Sequence, residues 1–410
     1  MEGLQKSILI WRNRRSNPGN QYKTMTIQFN ITETPGYGTY LDDAAGMPYG
    51  KTSEAISTWQ EFFGYKPCLF KDGKVVGYLN PNDYSKFENG TSADITSGNA
   101  GDVMVEFPRR GIKISKYGTT ITVSMTNNPN AYGYSYLAHS RGSEKKDYFY
   151  IGAYIGYTKS NNNIVKLYSL SGVTDWNGGL NIGYDMFFDQ VRTATKNKGS
   201  GYMQLGFYQF LYLQCMYLLQ FKGNLNSQEM VGYGWDSKLI SYGDYSYHTT
   251  GSTNTYGMIY GKPDDNYEYT KIFGIEDLWS QSYCFPLENI YISSPYNAYI
   301  STDNSNFNNS AYGYSSIGIS LGTGSSSGII TNVYGDNNLG FFPISVKSRD
   351  GSRKICTYFC DSGTTYGTSS EYEVISISGD VSNGGTGIFD MSASVLSTGG
   401  RNLCSRLSYV

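Results

Sequence analysis

The sequence predicts an α+β protein with two helices and loop-rich β structure, preceded by a small β-rich N-terminal region. Three observations point there. Strand candidates recur through the chain before residue 160, bounded by Gly, Pro and Asn turns. Two helical patterns follow, roughly 184–197 and 205–222, each stopped by a glycine. Beyond residue 225, Tyr, Gly, Ser and Asn predominate in long loops with short strands between them.

Taken in order, residues 1–30 read as an N-terminal attachment arm whose end, 24-TMTIQFNI-31, alternates in the period of a strand. Residues 31–100 read as a small β-rich domain. It opens with a turn-rich loop (Pro35, Gly36, Gly38, Gly46, Pro48). A short helix over 54-EAISTWQEFF-63 comes next, with Ile56, Trp59 and Phe63 on one face, then a hairpin over 67–80 that turns at Asp72-Gly73. The third region, 101–410, begins with strand candidates at 102–108, 112–118, 120–125 and 148–157. Its first helical pattern starts after Gly183 and stops at Gly199; the second stops at Gly223. The apolar run 202–221 contains Gln204, Gln209, Gln214 and Gln220, which predicts a buried helix and no membrane insertion.

Composition narrows the function. The 410 residues include 49 Gly and 40 Tyr, while charged residues reach only 16% and the formal net charge is −2. Such a balance supplies no electrostatic reason to bind nucleic acid or an anionic membrane, and Arg12, Arg14 and Arg15 read as a solvated arm. No basic, apolar and small-residue progression of an export signal opens the chain. Six scattered cysteines are too sparse for a disulfide scaffold, and with His139 and His248 as the only histidines, structural zinc is not expected. Residues 231–300 are rich in tyrosine, which disordered tracts are not, so an ordered aromatic loop surface is expected there.

Several motifs then resemble, in one order, those of phage tail-fibre and receptor-binding proteins that carry a C-type-lectin-like domain of the kind diversified by retroelements. The run 101-GDVMVEFPRRGIKI-114 is similar to their entry strand. The hairpin 137-LAHSRGSEKKDYFYIGAY-154 matches another of their segments, with His139 in the corresponding place. Residues 189–228 resemble their helix pair, and 272-IFGIEDLWSQSYCF-285 a strand and turn. The closing frame 378-SGDVSNGGTGIFDMSASVLSTGGRNLCSRL-407 is similar to their variable repeat. Val381, Thr386, Ser392 and Ser394 stand where that repeat has tryptophan, alanine and two asparagines.

The resemblance implies a C-type-lectin-like receptor-binding domain over 101–410 and a virion structural protein, a tail fibre or receptor-binding tip. It implies attachment to other virion proteins through the arm, a homotrimer, and a bacterial surface polysaccharide or protein as the receptor. Two other classes share these features: a purely structural decoration or baseplate protein, and a bacterial surface lectin. Candidate ligand contacts are of two kinds. Asp380, Ser382, Asn383, Thr386, Asp390, Ser392 and Ser394 read as an exposed face between the anchors Ile388, Phe389, Leu403 and Leu407. Tyr245, Tyr247, His248 and Tyr256 lie in 242-YGDYSYHTTGSTNTYGMIYG-261, whose composition suits a binding loop.

Catalysis is not expected. Formylglycine-generating oxidases share the lectin-like fold and use copper-binding cysteines, but the flanks of Cys356, Cys360 and Cys404 do not reproduce their pattern. The chain has neither a Gly-x-Ser-x-Gly elbow nor a phosphate-cradling Gly-x4-Gly-Lys-Ser/Thr loop. Asp42-Asp43 and Asp264-Asp265 are adjacent and suit turns, although two carboxylates brought together in space could still cleave a glycan. No catalytic residue, metal or cofactor is therefore assigned.

Overall fold

The alternating N-terminal segment forms β1 (Thr24–Asn30) in the computed structural model. The structure describes residues 22–31, 36–174, 188–234, 249–263, 268–280, 285–293, 297–320, 327–347, 362–364, 373–377, 386–395 and 404–410. After β1 come β2 (Thr39–Asp42), α1 (Ser53–Phe63), β3 (Lys66–Lys71), β4 (Lys74–Asn80) and β5 (Asp83–Phe87). The next run holds β6 (Asp102–Pro108), β7 (Gly111–Tyr117), β8 (Thr120–Thr126), β9 (Ser140–Arg141), β10 (Glu144–Lys145), β11 (Tyr148–Gly152), β12 (Tyr157–Asn161) and β13 (Ile164–Tyr168). The helical stretch is α2 (Phe188–Lys196), β14 (Tyr202–Gln204), α3 (Phe207–Gln220) and α4 (Ser227–Met230). The remainder is β15 (Lys271–Ile272), β16 (Ile275–Glu276), β17 (Phe285–Ser293), β18 (Asn297–Ile300), β19 (Ser315–Ser320), β20 (Ser327–Val333), β21 (Pro343–Lys347), β22 (Ser362–Thr364), β23 (Glu373–Ile377), β24 (Met391–Val395) and β25 (Leu407–Tyr409).

These elements correct the expected fold class. Among the described residues strand accounts for 41% and helix for 15%, with four α-helices and many small antiparallel sheets, so this part of the chain is mostly β. An α+β, C-type-lectin-like domain with two helices does not describe it. The misreading has a physical source in the C-terminal half. There β17–β23, β18–β19 and β20–β21 all shift register at bulges. A bulge inserts an unpaired residue and breaks the period-2 pattern by which a strand is legible.

Three sheets carry most of the structure: four strands in the order β2-β1-β8-β7, seven in the order β14-β25-β11-β6-β3-β4-β5, and eight in the order β19-β18-β17-β23-β24-β22-β20-β21. They run across the boundaries expected at residues 30 and 100. β1 pairs with β8 from Thr24↔Thr126 to Asn30↔Thr120. β3 pairs with β6 from Lys66↔Glu106 to Phe70↔Asp102, and the C-terminal β25 pairs with both β11 and β14. The β3–β4 hairpin turns at Asp72 (φ 51°) and Gly73 (φ 76°), as the Asp-Gly pair predicts, because both central residues of such a turn need positive φ.

The centre of the molecule is α3. All fourteen of its side chains are buried, and it packs against α1, β1, β8 and β17. Its glutamines offset part of the cost of burying polar groups by donating through Nε2 to backbone carbonyls of other segments, while the Oε1 atoms of Gln209, Gln214 and Gln220 stay buried without a hydrogen bond. Gln209 reaches Ala138 (2.6 Å), Gln214 reaches Ile388 (2.8 Å) and Gln220 reaches Gly50 (3.1 Å). The same residues that argued against a membrane span are thus ties between the helix and three separate loops. No helix among the described residues is long and apolar enough to cross a membrane.

Candidate functional site

Among the surface tyrosines, two pairs meet ring to ring, and a hydrogen bond links the loops that bear them into one strip. The first pair is set by the C-terminus of α3. There Gly223 N–H closes the helix on the Leu218 carbonyl at 2.7 Å, and Lys222 takes the left-handed region with φ 54°. That turn places the Lys222 ammonium 4.9 Å from the Tyr49 ring centroid and 5.9 Å from that of Tyr40, a cation–π arrangement. The same helix end pins both sides of the loop bearing the tyrosines: Gly38 N–H donates to Lys222 O (2.6 Å) and Gly50 N–H to Gln220 O (2.8 Å). Tyr37 and Tyr49 consequently meet at 4.9 Å, tilted by 55°, with 52% and 40% of their surfaces exposed. The Tyr37 hydroxyl also touches Met230 Sδ at 3.9 Å. Burial, the Tyr49 phenol and the Glu229 carboxylate raise the Tyr37 pKa in that order.

The second pair is Tyr256 and Tyr260, whose rings stack at 4.2 Å and 12°. Tyr256 is 50% exposed. Its turn hangs on a buried carboxylate from β16, since Glu276 accepts Gly251 N–H (2.8 Å), Thr253 N–H (2.8 Å) and the Thr253 hydroxyl (2.7 Å). Lys271, opposite Glu276 in the β15–β16 pair, donates to the Thr253 carbonyl at 3.1 Å and lies over the Tyr84 ring at 3.7 Å. Burial pushes the Lys271 pKa down to about 7, against the opposing pull of Glu276. Beside the stacked rings, Glu268 accepts the Tyr260 hydroxyl (3.3 Å) and pairs with Lys262 (2.5 Å), which raises the pKa of that lysine.

The pairs are connected through contacts. Lys51, two residues after Tyr49, donates to the Gly261 carbonyl at 2.9 Å. Gly261 follows Tyr260 and lies so close to the Val231 backbone that a Cβ there would sit 2.0 Å from its carbonyl oxygen. Val231 in turn follows Met230, the residue under Tyr37. Each platform therefore combines two tyrosines, one ammonium and one carboxylate: Lys222 and Glu229 at the first, Lys262 and Glu268 at the second.

The structure treats the sequence candidates unevenly. Tyr256 is at the surface as expected. Thr386 and Asp390 are not: they are 1% and 7% exposed, which corrects their reading as an open face. The cause is the depth of the anchors between them. Ile388 donates its N–H to Ser227 Oγ and accepts from Gln214, and Phe389 meets Tyr217 and Phe341 edge-on, so the chain on either side is drawn inward. Gln228 holds the Thr386 carbonyl at 2.9 Å. Ser392 and Ser394 take register positions in β24 opposite Ser376 and Val374, and β24 is an interior strand of the eight-stranded sheet. Asp380, Ser382, Asn383, Tyr245, Tyr247 and His248 lie outside the described residues, as do Leu403, Cys356, Cys360 and Asp264-Asp265.

Sequence reasoning missed Tyr37, Tyr49, Lys222, Glu229, Tyr260, Lys262 and Glu268. The signal for the first two was present, because 36–50 repeats the Tyr and Gly composition that drew attention to 242–261. Nothing local marks Lys222 or Glu229, whose place beside the rings depends on how α3 ends. No group of three or more His, Cys, Asp or Glu suited to a metal occurs among the described residues. No protein-family model matches the chain, and no curated protein matches it.

Proposed function

We propose that this chain is a phage virion protein, a tail fibre or receptor-binding tip, whose activity is to bind a bacterial surface receptor. The observation that carries the recognition role is the strip of paired, half-exposed tyrosines held by buried hydrogen bonds. Tyrosine offers a large contact area with few rotors to freeze, and a platform that is already ordered loses little entropy on binding. The virion assignment rests on the order of sequence motifs. In this reading other virion proteins take the N-terminal end ahead of β1, and the strip faces outward.

Single platforms of this size bind weakly. Several copies on one particle, a trimer or more, make the second contact intramolecular and raise avidity by about 100-fold or more. The test is binding of the fluorescently labelled full chain to a panel of bacterial strains, beside the Tyr37→Ala/Tyr256→Ala double variant with its fold checked by circular dichroism. The expected result is that the parent labels some strains and the folded double variant loses at least about tenfold in apparent affinity. Equal labelling by both removes the strip from recognition. Labelling of no strain favours a structural decoration of the particle.

A further inference from the structure

The two platforms are alike in composition, and that likeness bears on what they bind. One face of Tyr256 is covered by the parallel Tyr260 ring, and half of the residue remains exposed to a ligand. A flat aromatic face is complementary to the C–H face of a pyranose, whose polarised hydrogens meet the negative face of the ring. Beside it stand a carboxylate and an ammonium, Glu268 and Lys262, paired at 2.5 Å. Such a pair accepts and donates at once, as vicinal sugar hydroxyls require, and carries no net charge. At the other platform Tyr37 and Tyr49 meet at 4.9 Å, Lys222 stands 4.9 Å from the Tyr49 ring centroid, and Glu229 acts on Tyr37. A ligand that satisfies two similar stations along one strip is most simply a polymer of repeating units.

We infer that the strip is a binding site for an uncharged polysaccharide, with one sugar ring stacked on Tyr256 and another seated on the Tyr37–Tyr49 pair. This deepens the recognition role proposed above and rests on it. Each station sets one ammonium beside one carboxylate, and Lys51 between them donates to a backbone carbonyl, so the strip lacks the large surplus of cationic groups on which capture of a polyanion depends. A protein receptor is the competing occupant, and the experiment separates the two.

A strain labelled by the full chain is divided into three samples: untreated, protease-treated, and oxidised with periodate, which cleaves the vicinal diols of sugars. In parallel, the deproteinised polysaccharide extracted from that strain is immobilised, and binding is measured for the parent chain, Tyr256→Ala and Tyr49→Ala. The expected result is labelling that survives protease and is lost after periodate. The polysaccharide retains the parent chain, each single variant binds about tenfold more weakly, equivalent to 1.4 kcal/mol, and affinity changes less than about twofold as salt rises through the range that screens surface charge. Labelling that survives periodate and is lost with protease overturns the inference while leaving the recognition role in place. A steep loss of polysaccharide binding with salt overturns the uncharged ligand, and full retention by both variants overturns the site. If no strain is labelled at all, the recognition role falls, and this inference with it.

Discussion

His139 is one of two histidines in the chain, and the structure gives it a packing role. Its ring is fully buried, edge-on to Phe149 at 4.7 Å and to Tyr212 at 5.3 Å, and neither nitrogen makes a well-aligned hydrogen bond. Burial drives its pKa down to about 3, against a smaller opposing pull from the Phe107 and Pro108 carbonyls. In the unfolded chain it titrates near 6.5, so between these values the unfolded state binds a proton that the folded state does not. Stability therefore falls as pH drops through that window, by about 2 kcal/mol from this group at about pH 5. His139→Phe is expected to flatten that part of the stability profile. Urea unfolding at several pH values checks it, and an unchanged acid slope would mean that the ring titrates in the fold as it does in the unfolded chain. Lys271 acts in the same sense at higher pH, because its folded pKa of about 7 lies below the model-compound 10.5. The unfolded chain holds the extra proton between those values, and stability from this group rises with pH across them.

At the scale of elements, two ion pairs of similar geometry differ in what they hold. Arg192 of α2 grips Glu288 of β17 through Nε (2.8 Å) and Nη2 (3.2 Å), with both side chains buried and Gln204 donating to the same carboxylate at 3.3 Å. It also donates to Asn309 at 2.5 Å, and its guanidinium lies over the Phe188 ring at 4.7 Å. This explains why a helix as polar as α2 can be buried on one side: its arginine is satisfied there. Removing one partner strands a buried charge, so Glu288→Ala is expected to cost about 3–5 kcal/mol. Glu268→Ala at the tyrosine strip breaks a pair in which Lys262 is half exposed, and is expected to leave stability nearly unchanged, because solvent screens such a pair. Denaturant unfolding of the two variants side by side measures the contrast. Equal costs would show that α2 is held to the sheet by apolar packing alone.

At the scale of the whole molecule, the sheets join residues that sequence reading had assigned to separate domains. A chain beginning at Gly101 would lack β1 and β3, exposing the paired edges of β8 and β6 along seven and five residues respectively. Unpaired strand edges over an open core invite aggregation. Such a chain is expected to be insoluble or to bind a hydrophobic dye, while the full chain does neither; a soluble chain with cooperative unfolding would restore the boundary at residue 100. The sequence by itself determined α1, β1, the β3–β4 hairpin, β6 to β8, α2, α3 and the anchors Ile388 and Phe389. Each is set by local periodicity, a cap or a turn residue, and those signals lie within about a dozen positions of one another. Only the tertiary structure decided that the bulged C-terminal strands form a sheet, that Thr386 and Asp390 are carried inward with their neighbours, and that Tyr37, Tyr49, Tyr256 and Tyr260 share one strip. These outcomes depend on hydrogen bonds such as Lys51 to Gly261 and Gln220 to Gly50, made between positions 210 and 170 residues apart. No local pattern encodes which distant carbonyl a buried amide will find.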